Sequence, residues 1–192
     1  MFWNYIEELK GLLDKITFNN DVGELYADYD AGMEAVFRLF CDVKGEGKQL
    51  FFIGNGGSAA IATHMTADFH KNGGMHTVSL YDVPTITCLG NDYGYEEIFS
   101  KQILRLGKEG DLLVAISSSG NSPNIVHATE AAVERGMRVI TFSGFDEGNL
   151  IHGMGWLNVH VPIRHYGIVE SIHNLILQQV VDEILERDGS NE

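Results

Sequence analysis

Basic residues are scarce in this chain: 13 Lys and Arg stand against 27 Asp and Glu, a formal charge of −14 over 192 residues. That balance repels a nucleic-acid backbone and an anionic membrane surface. No Lys/Arg run offsets it, so neither nucleic acid nor membrane is expected as a partner. Cysteine is nearly absent. Cys41 and Cys88 are too few for a disulfide framework and lack zinc-type spacing, which fits a reducing, cytoplasmic compartment. Only three prolines occur, and no linker or low-complexity stretch divides the chain, so one domain over 1–192 is expected. The opening "MFWNYIEELKGLL" turns acidic within eight residues and has no basic stretch followed by an apolar core. It reads as an amphipathic helix, neither a secretion signal nor a membrane span.

What the chain does have is apolar material, 44% of its residues. Short apolar runs recur at 49–54, 76–81, 111–117, 138–144 and 157–162, separated by segments of helical periodicity. The alternation predicts an α/β fold, a parallel sheet with helices on both faces, its strands apolar on both sides as a doubly covered sheet requires. Two helices are expected before the first strand, over 5–18 and 24–44, and a long one at 166–187 after the last. These three lie outside the repeating unit and suggest an oligomer interface or packing within the monomer; the α/β core begins near 46. The tail "DGSNE", 188–192, reads as a weakly structured end.

In an open α/β sheet, ligands gather beyond the carboxyl ends of the strands. "FFIGNGGSAAIATHMTADFH", 51–70, ends a strand there in a glycine-dense turn and starts a helix at once. Gly54, Gly56 and Gly57 allow positive φ and close backbone approach, while Ser58 can cap the helix or donate to an anion. A second loop, "SSSGNSPN" from Ser117 to Asn124, repeats the pattern with four serines and a proline in the first helical turn. Hydroxyls and backbone N–H groups in such number, without Lys or Arg, fit a phosphate ester held by neutral donors and helix dipoles. A dinucleotide fold is the rival, because Gly54, Gly56 and Ala59 match G-x-G-x-x-A and Asp82 could meet a ribose. That acid stands 28 residues after Gly54, late against about 20 in the motif, and the serine loop would be left idle. No nucleotide cofactor is therefore expected.

His64 and Asp68, four apart, share a helix face one turn deeper than Ser58; Glu170 and His173 form a second acid and imidazole set. Asn91 and Asp92 lie in a glycine-flanked loop where a polar side chain can meet a sugar hydroxyl. The other histidines, including His127, His152 and His160, offer no pairing and read as surface or packing residues.

At "GNGGSAAIATH", "GNDYGYEEIF", "GDLLVAISSSGNSPN" and "GMRVITFSGFDEG" the chain resembles the sugar isomerase (SIS) domain family, in its phosphoheptose isomerase branch. The resemblance implies a three-layer, flavodoxin-like sandwich on a five-stranded parallel sheet. It also implies a homo-oligomer, a tetramer ahead of a dimer, that turns sedoheptulose 7-phosphate into a mannoheptose 7-phosphate. By position it implies phosphate contacts from Ser117, Ser118, Ser119 and Ser122, sugar contacts from Asn55, Ser58 and Asp92, and a zinc-binding histidine at His64. Three positions depart from the branch: Asp68 stands for a catalytic glutamate, Glu170 for a glutamine, and Gln178 for a second catalytic histidine. Shortening a base by one methylene retracts its oxygen by about 1 Å, a displacement that can cost on the order of a hundredfold in rate. Gln178 cannot exchange a proton and is left as a substrate contact. The carboxylate has in effect changed walls, with Glu170 as base and His64 or His173 as acid. His64, Asp68 and Glu170 would also make a zinc set if the last helix crosses near the first loop. The other reading is a catalytically weak phosphosugar sensor or a protein-binding regulator of the same family.

Overall fold

The computed structural model describes residues 2–189. In chain order they form α1 (Phe2–Leu13), β1 (Thr17–Asn20), α2 (Tyr29–Gly45), β2 (Gln49–Ile53), α3 (Gly57–Lys71), β3 (His76–Val78) and α4 (Val83–Tyr93). A 3-10 turn (Tyr95–Glu97) follows, then α5 (Ser100–Leu106), β4 (Leu112–Ser117), α6 (Pro123–Glu134), β5 (Arg138–Gly144), β6 (Leu157–Val161) and α7 (Tyr166–Arg187). The expected three-layer α/β sandwich is present, with six strands in place of five.

The sheet order is β1-β6-β5-β4-β2-β3; β2 to β6 run parallel, and β1 joins antiparallel at the edge of β6. The extra strand corrects the helix expected over 5–18. Ile16 and Phe18 are buried, and a Cβ at Gly32 would fall 2.2 Å from the Phe18 ring, so the segment is drawn into the sheet against α2. Pairing of Thr17 with His160 through Asn20 with Leu157 then covers an edge that would otherwise stay open. The second helix starts at Tyr29, later than expected, because Asp28 caps it by accepting from Ala31 N at 2.8 Å. The run 76–81 is strand only to Val78. Of the expected tail, Asp188 caps α7 and pairs with Lys44; 190–192 lie outside the described residues.

Two apolar layers flank the sheet. One, under α2, α3 and α7, includes the stacked rings of Phe40, Phe52 and Phe69; the other, under α5 and α6, includes Ile53, Leu113, Ile125 and Val139. The strand order fixes the site. From β2 the chain steps outward to β3, then returns to β4 on the other side of β2, so the order reverses between β2 and β4. A crevice opens at such a reversal, and the glycine and serine loops leave these two neighbouring strands.

Beyond β4 the interior turns polar. Thr141 Oγ1 donates to Asn158 Oδ1 at 2.7 Å, Ser143 Oγ is hydrogen-bonded to His160 Nδ1 at 3.0 Å, and His152 stacks on His160. From the opposite side His173 Nε2 donates to the Ser143 carbonyl at 3.0 Å. Burial lowers both His160 and His173 from 6.5 to about 4, so both are neutral at pH 7. Unfolding restores their ordinary affinity for a proton, and the unfolded chain therefore binds more protons between pH 6.5 and 4. Stability should be fully present above pH 6.5 and fall as pH drops through that window, by about 1.4 kcal/mol per pH unit for His173 alone. Urea unfolding at pH 7 and 5 measures the fall; His173→Leu should remove its share, and an unchanged pH slope in that variant would contradict the assignment.

Candidate active site

The first loop is fixed from below. Tyr81, half-buried behind it, accepts from Gly54 N at 2.7 Å and donates to Gly54 O at 2.8 Å. Burial raises its phenol above the ordinary range, so the proton needed for the second bond stays in place. Gly56 follows with φ of 55°, a conformation that glycine adopts without penalty, and no side chain caps the start of α3. The second loop is tied to the first by a reciprocal amide pair. Asn55 Nδ2 donates to Asn124 Oδ1 at 2.8 Å, and Asn124 Nδ2 donates back to Asn55 Oδ1 at 2.9 Å.

Between the loops lies a cavity of about 250 Å³, lined by Asn55 to Ser58, Ile116 to Ser119, Ser122, Tyr166 and Glu170. Ser118 Oγ is buried and has no hydrogen-bond partner among the described residues. Leaving a buried hydroxyl unpaired costs about 1–3 kcal/mol, so this atom marks a place for an acceptor. Ser122 occupies the N-cap of α6 without spending its hydroxyl on the cap. Two uncapped helix N-termini, of α3 and α6, therefore face one small polar cavity, the geometry that binds anions. On the opposite wall Glu170, one turn into α7, approaches Gly57 so closely that a Cβ there would fall 2.3 Å from its Oε2. Burial alone shifts this carboxyl, and it shifts it upward.

The residues expected from sequence divide in two. Asn55, Gly56, Gly57, Ser58, Ser117, Ser118, Ser119, Ser122 and Glu170 converge on the cavity. Five others do not line it. His64 is exposed on α3, and Asp68, a turn later, accepts from Asn72 at 2.6 Å. Asp92 is exposed on α4 and accepts from Asn91 at 2.8 Å. His173 is fully buried, its Nε2 spent on Ser143 O, which corrects its role as a proton carrier to substrate. Gln178 lies eight residues beyond Glu170, about 12 Å along the helix, and donates to Asp182 at 2.9 Å. The zinc trio of His64, Asp68 and Glu170 does not come together within this chain: among the described residues no three His, Cys, Asp or Glu side chains gather closely enough to hold an ion. Asp82, the acid of the dinucleotide reading, caps α4 by accepting from Thr85 N at 3.0 Å. The pairings of Tyr81 and Asn124 leave no local trace in the sequence, because their partners lie 27 and 69 residues away.

A family model described as "SIS domain" matches residues 7–144. The phosphoheptose isomerase of Escherichia fergusonii is 35% identical over 182 residues, covering 88% of this chain and 93% of the relative. Among solved structures, phosphoheptose isomerase of Neisseria gonorrhoeae superposes with a TM-score of 0.74 at 36% identity, covering 79% of this chain and 84% of that one. That of Francisella tularensis gives 0.75 at 31% identity, with 80% and 85% covered.

Tyr81→Phe removes both bonds to Gly54 and is expected to cost about 2–3 kcal/mol, since two buried backbone groups lose their partner. It should also weaken the binding of inorganic phosphate. Urea unfolding and calorimetric titration measure the two effects; unaltered phosphate affinity in the destabilised protein would separate the clamp from the anion site.

Proposed function

This chain belongs to the SIS domain family, and on that premise we propose that it is a phosphosugar isomerase acting on sedoheptulose 7-phosphate and its mannoheptose 7-phosphate aldose. The observation that carries the reading is the pairing, in one cavity, of neutral phosphate donors with a single carboxylate that burial makes reluctant to ionise. Ser117, Ser118, Ser119 and Ser122, with the amides at the starts of α3 and α6, hold the phosphate; Asn55, Gly56, Gly57 and Ser58 form the facing wall.

Ketose and aldose are isomers that differ in the placement of two hydrogens and of one carbonyl. Ionised Glu170 takes the proton from C1 as the C1–C2 double bond forms and the carbonyl electrons move to O2. The same proton returns to C2 as the electrons of O1 re-form the carbonyl at C1, while one proton passes from O1 to O2. A base with a raised pKa holds the abstracted proton more firmly, which favours the first step. No step is routed through a metal, because the trio offered for one does not converge.

Single-domain organisation over 1–192 and a homotetramer belong to the same proposal. The exposed apolar side chains of α1, Phe2 at 91% and Trp3 at 66%, and an α4 without a buried residue support assembly. Free Cys41 and Cys88 support a cytoplasmic setting; no helix among the described residues is long and apolar enough to cross a membrane. The second reading, a phosphosugar sensor or protein-binding regulator, draws on the distance of His64, Asp68, His173 and Gln178 from the cavity.

A discontinuous assay of sedoheptulose 7-phosphate conversion tests the proposal, with loss of turnover by about 10²–10⁴-fold expected in Glu170→Gln and phosphate binding retained. The rate should fall on acidification at a pH above the usual carboxylate range, as the base becomes protonated. A wild-type protein that binds the sugar phosphate without converting it would favour the sensor.

A further inference from the structure

The cavity between the loops is small for a ligand site. Small-molecule sites span about 300–1,000 Å³, against about 250 Å³ here. Its rim at Asn55 and Ser122 is shared with a second cavity of about 430 Å³, which Tyr95, Asn124 and His127 also line. Tyr95 marks the border by donating to Asn55 Oδ1 at 2.9 Å. A sugar whose phosphate rests on the serine loop can extend past that rim.

His127 stands one turn into α6 with Nδ1 3.0 Å from Glu97 Oε1. Glu97 is itself held, by the Ser100 hydroxyl at its other oxygen and by Lys101 at 3.9 Å. The bond from Ser100 draws its carboxyl below the ordinary range, so Glu97 is a carboxylate at neutral pH. It accepts Nδ1–H and leaves Nε2 as the nitrogen with a free lone pair. A side chain oriented in this way by a third group is the arrangement of general bases. His127 is half-exposed, whereas His152, His160 and His173 are committed to one another and to Ser143 and Asn19.

We propose that the carbonyl end of the sugar crosses the Asn55 and Ser122 rim into this second cavity, and that His127, oriented by Glu97, moves the hydroxyl proton of the isomerisation. The inference rests on the isomerase reading and supplies its second proton carrier. Nε2 takes the proton leaving O1, and the imidazolium returns it to O2; Glu170 carries the other proton from C1 to C2. Every proton removed is restored, and no oxidant or reductant enters. The reacting carbons lie at the rim, between a carboxylate on one side and an imidazole on the other.

Histidine labelled at its ring carbons allows the His127 resonance, assigned by its loss in His127→Gln, to be followed during titration. Sedoheptulose 7-phosphate should shift it, and inorganic phosphate should leave it in place. In turnover, His127→Gln should lower kcat by about a hundredfold, with KM within about threefold and an unaltered circular dichroism spectrum and thermal midpoint. Glu97→Gln should lower kcat by about tenfold while KM stays within about threefold, since the imidazole loses the partner that orients it; a merely structural pair would not split kcat from KM in this way. A folded His127→Gln protein with wild-type kcat, or a His127 resonance indifferent to the sugar phosphate, would overturn the proposal. If the wild type binds inorganic phosphate and yet converts no sugar, the isomerase reading and the proton-carrying role fail together. The resonance then decides separately whether the sugar enters this cavity.

Discussion

Asn55 and Asn124 exchange two amide hydrogen bonds across the crevice between β2 and β4, and the functional geometry depends on that exchange. Each amide belongs to one of the two loops, so the pair sets the distance between an uncapped α3 and an uncapped α6. Parallel pairing of β2 with β4, with Leu50 opposite Leu112 and Ile53 opposite Ala115, brings the loops to neighbouring positions. Reversal of strand order between the same strands leaves room above them. Tyr81 then holds Gly54 by both backbone groups. Donors fixed in this way need little rearrangement when an anion arrives, which is how preorganised polar sites gain strength.

A phosphate site without a cation, as proposed here, has a consequence for the carboxylate opposite. A lysine or arginine in the cavity would have drawn Glu170 downward and weakened it as a base. Serine hydroxyls and helix amides leave burial as the cause of its shift, and that shift is upward. The overall charge of −14 is compatible with the proposed site, since its affinity would come from local dipoles and not from the field of the whole protein. The polar layer at His160 and His173 is a separate device with its own cost below pH 6.5, and it lies outside the cavity.

The sheet and both loops were legible because they are local signals: apolar runs of six or seven residues, two of which lead into the glycine and serine turns. Strand β1 was not, because Ile16 to Phe18 reads as the end of an amphipathic helix until Phe18 finds its place against α2. Helical spacing also misled where it stood alone. His64 and Asp68 share a face, but the face is the outer one, and His173 follows Glu170 by three residues only to turn into the core. The pairs that position the site, Tyr81 with Gly54, Asn55 with Asn124 and Glu97 with His127, are separated by 27 to 69 residues and carry no periodic trace. Only folding brings them together.

All of this requires that the phosphate group, and not the sugar, supplies the main anchor. Calorimetric titration of the wild-type protein with sedoheptulose 7-phosphate and with unphosphorylated sedoheptulose, side by side at one ionic strength, tests that directly. The phosphorylated sugar should bind while its parent gives no measurable heat of association, because Ser118 and the two helix starts would have no anion to meet. Equal affinity for the two sugars would contradict the account.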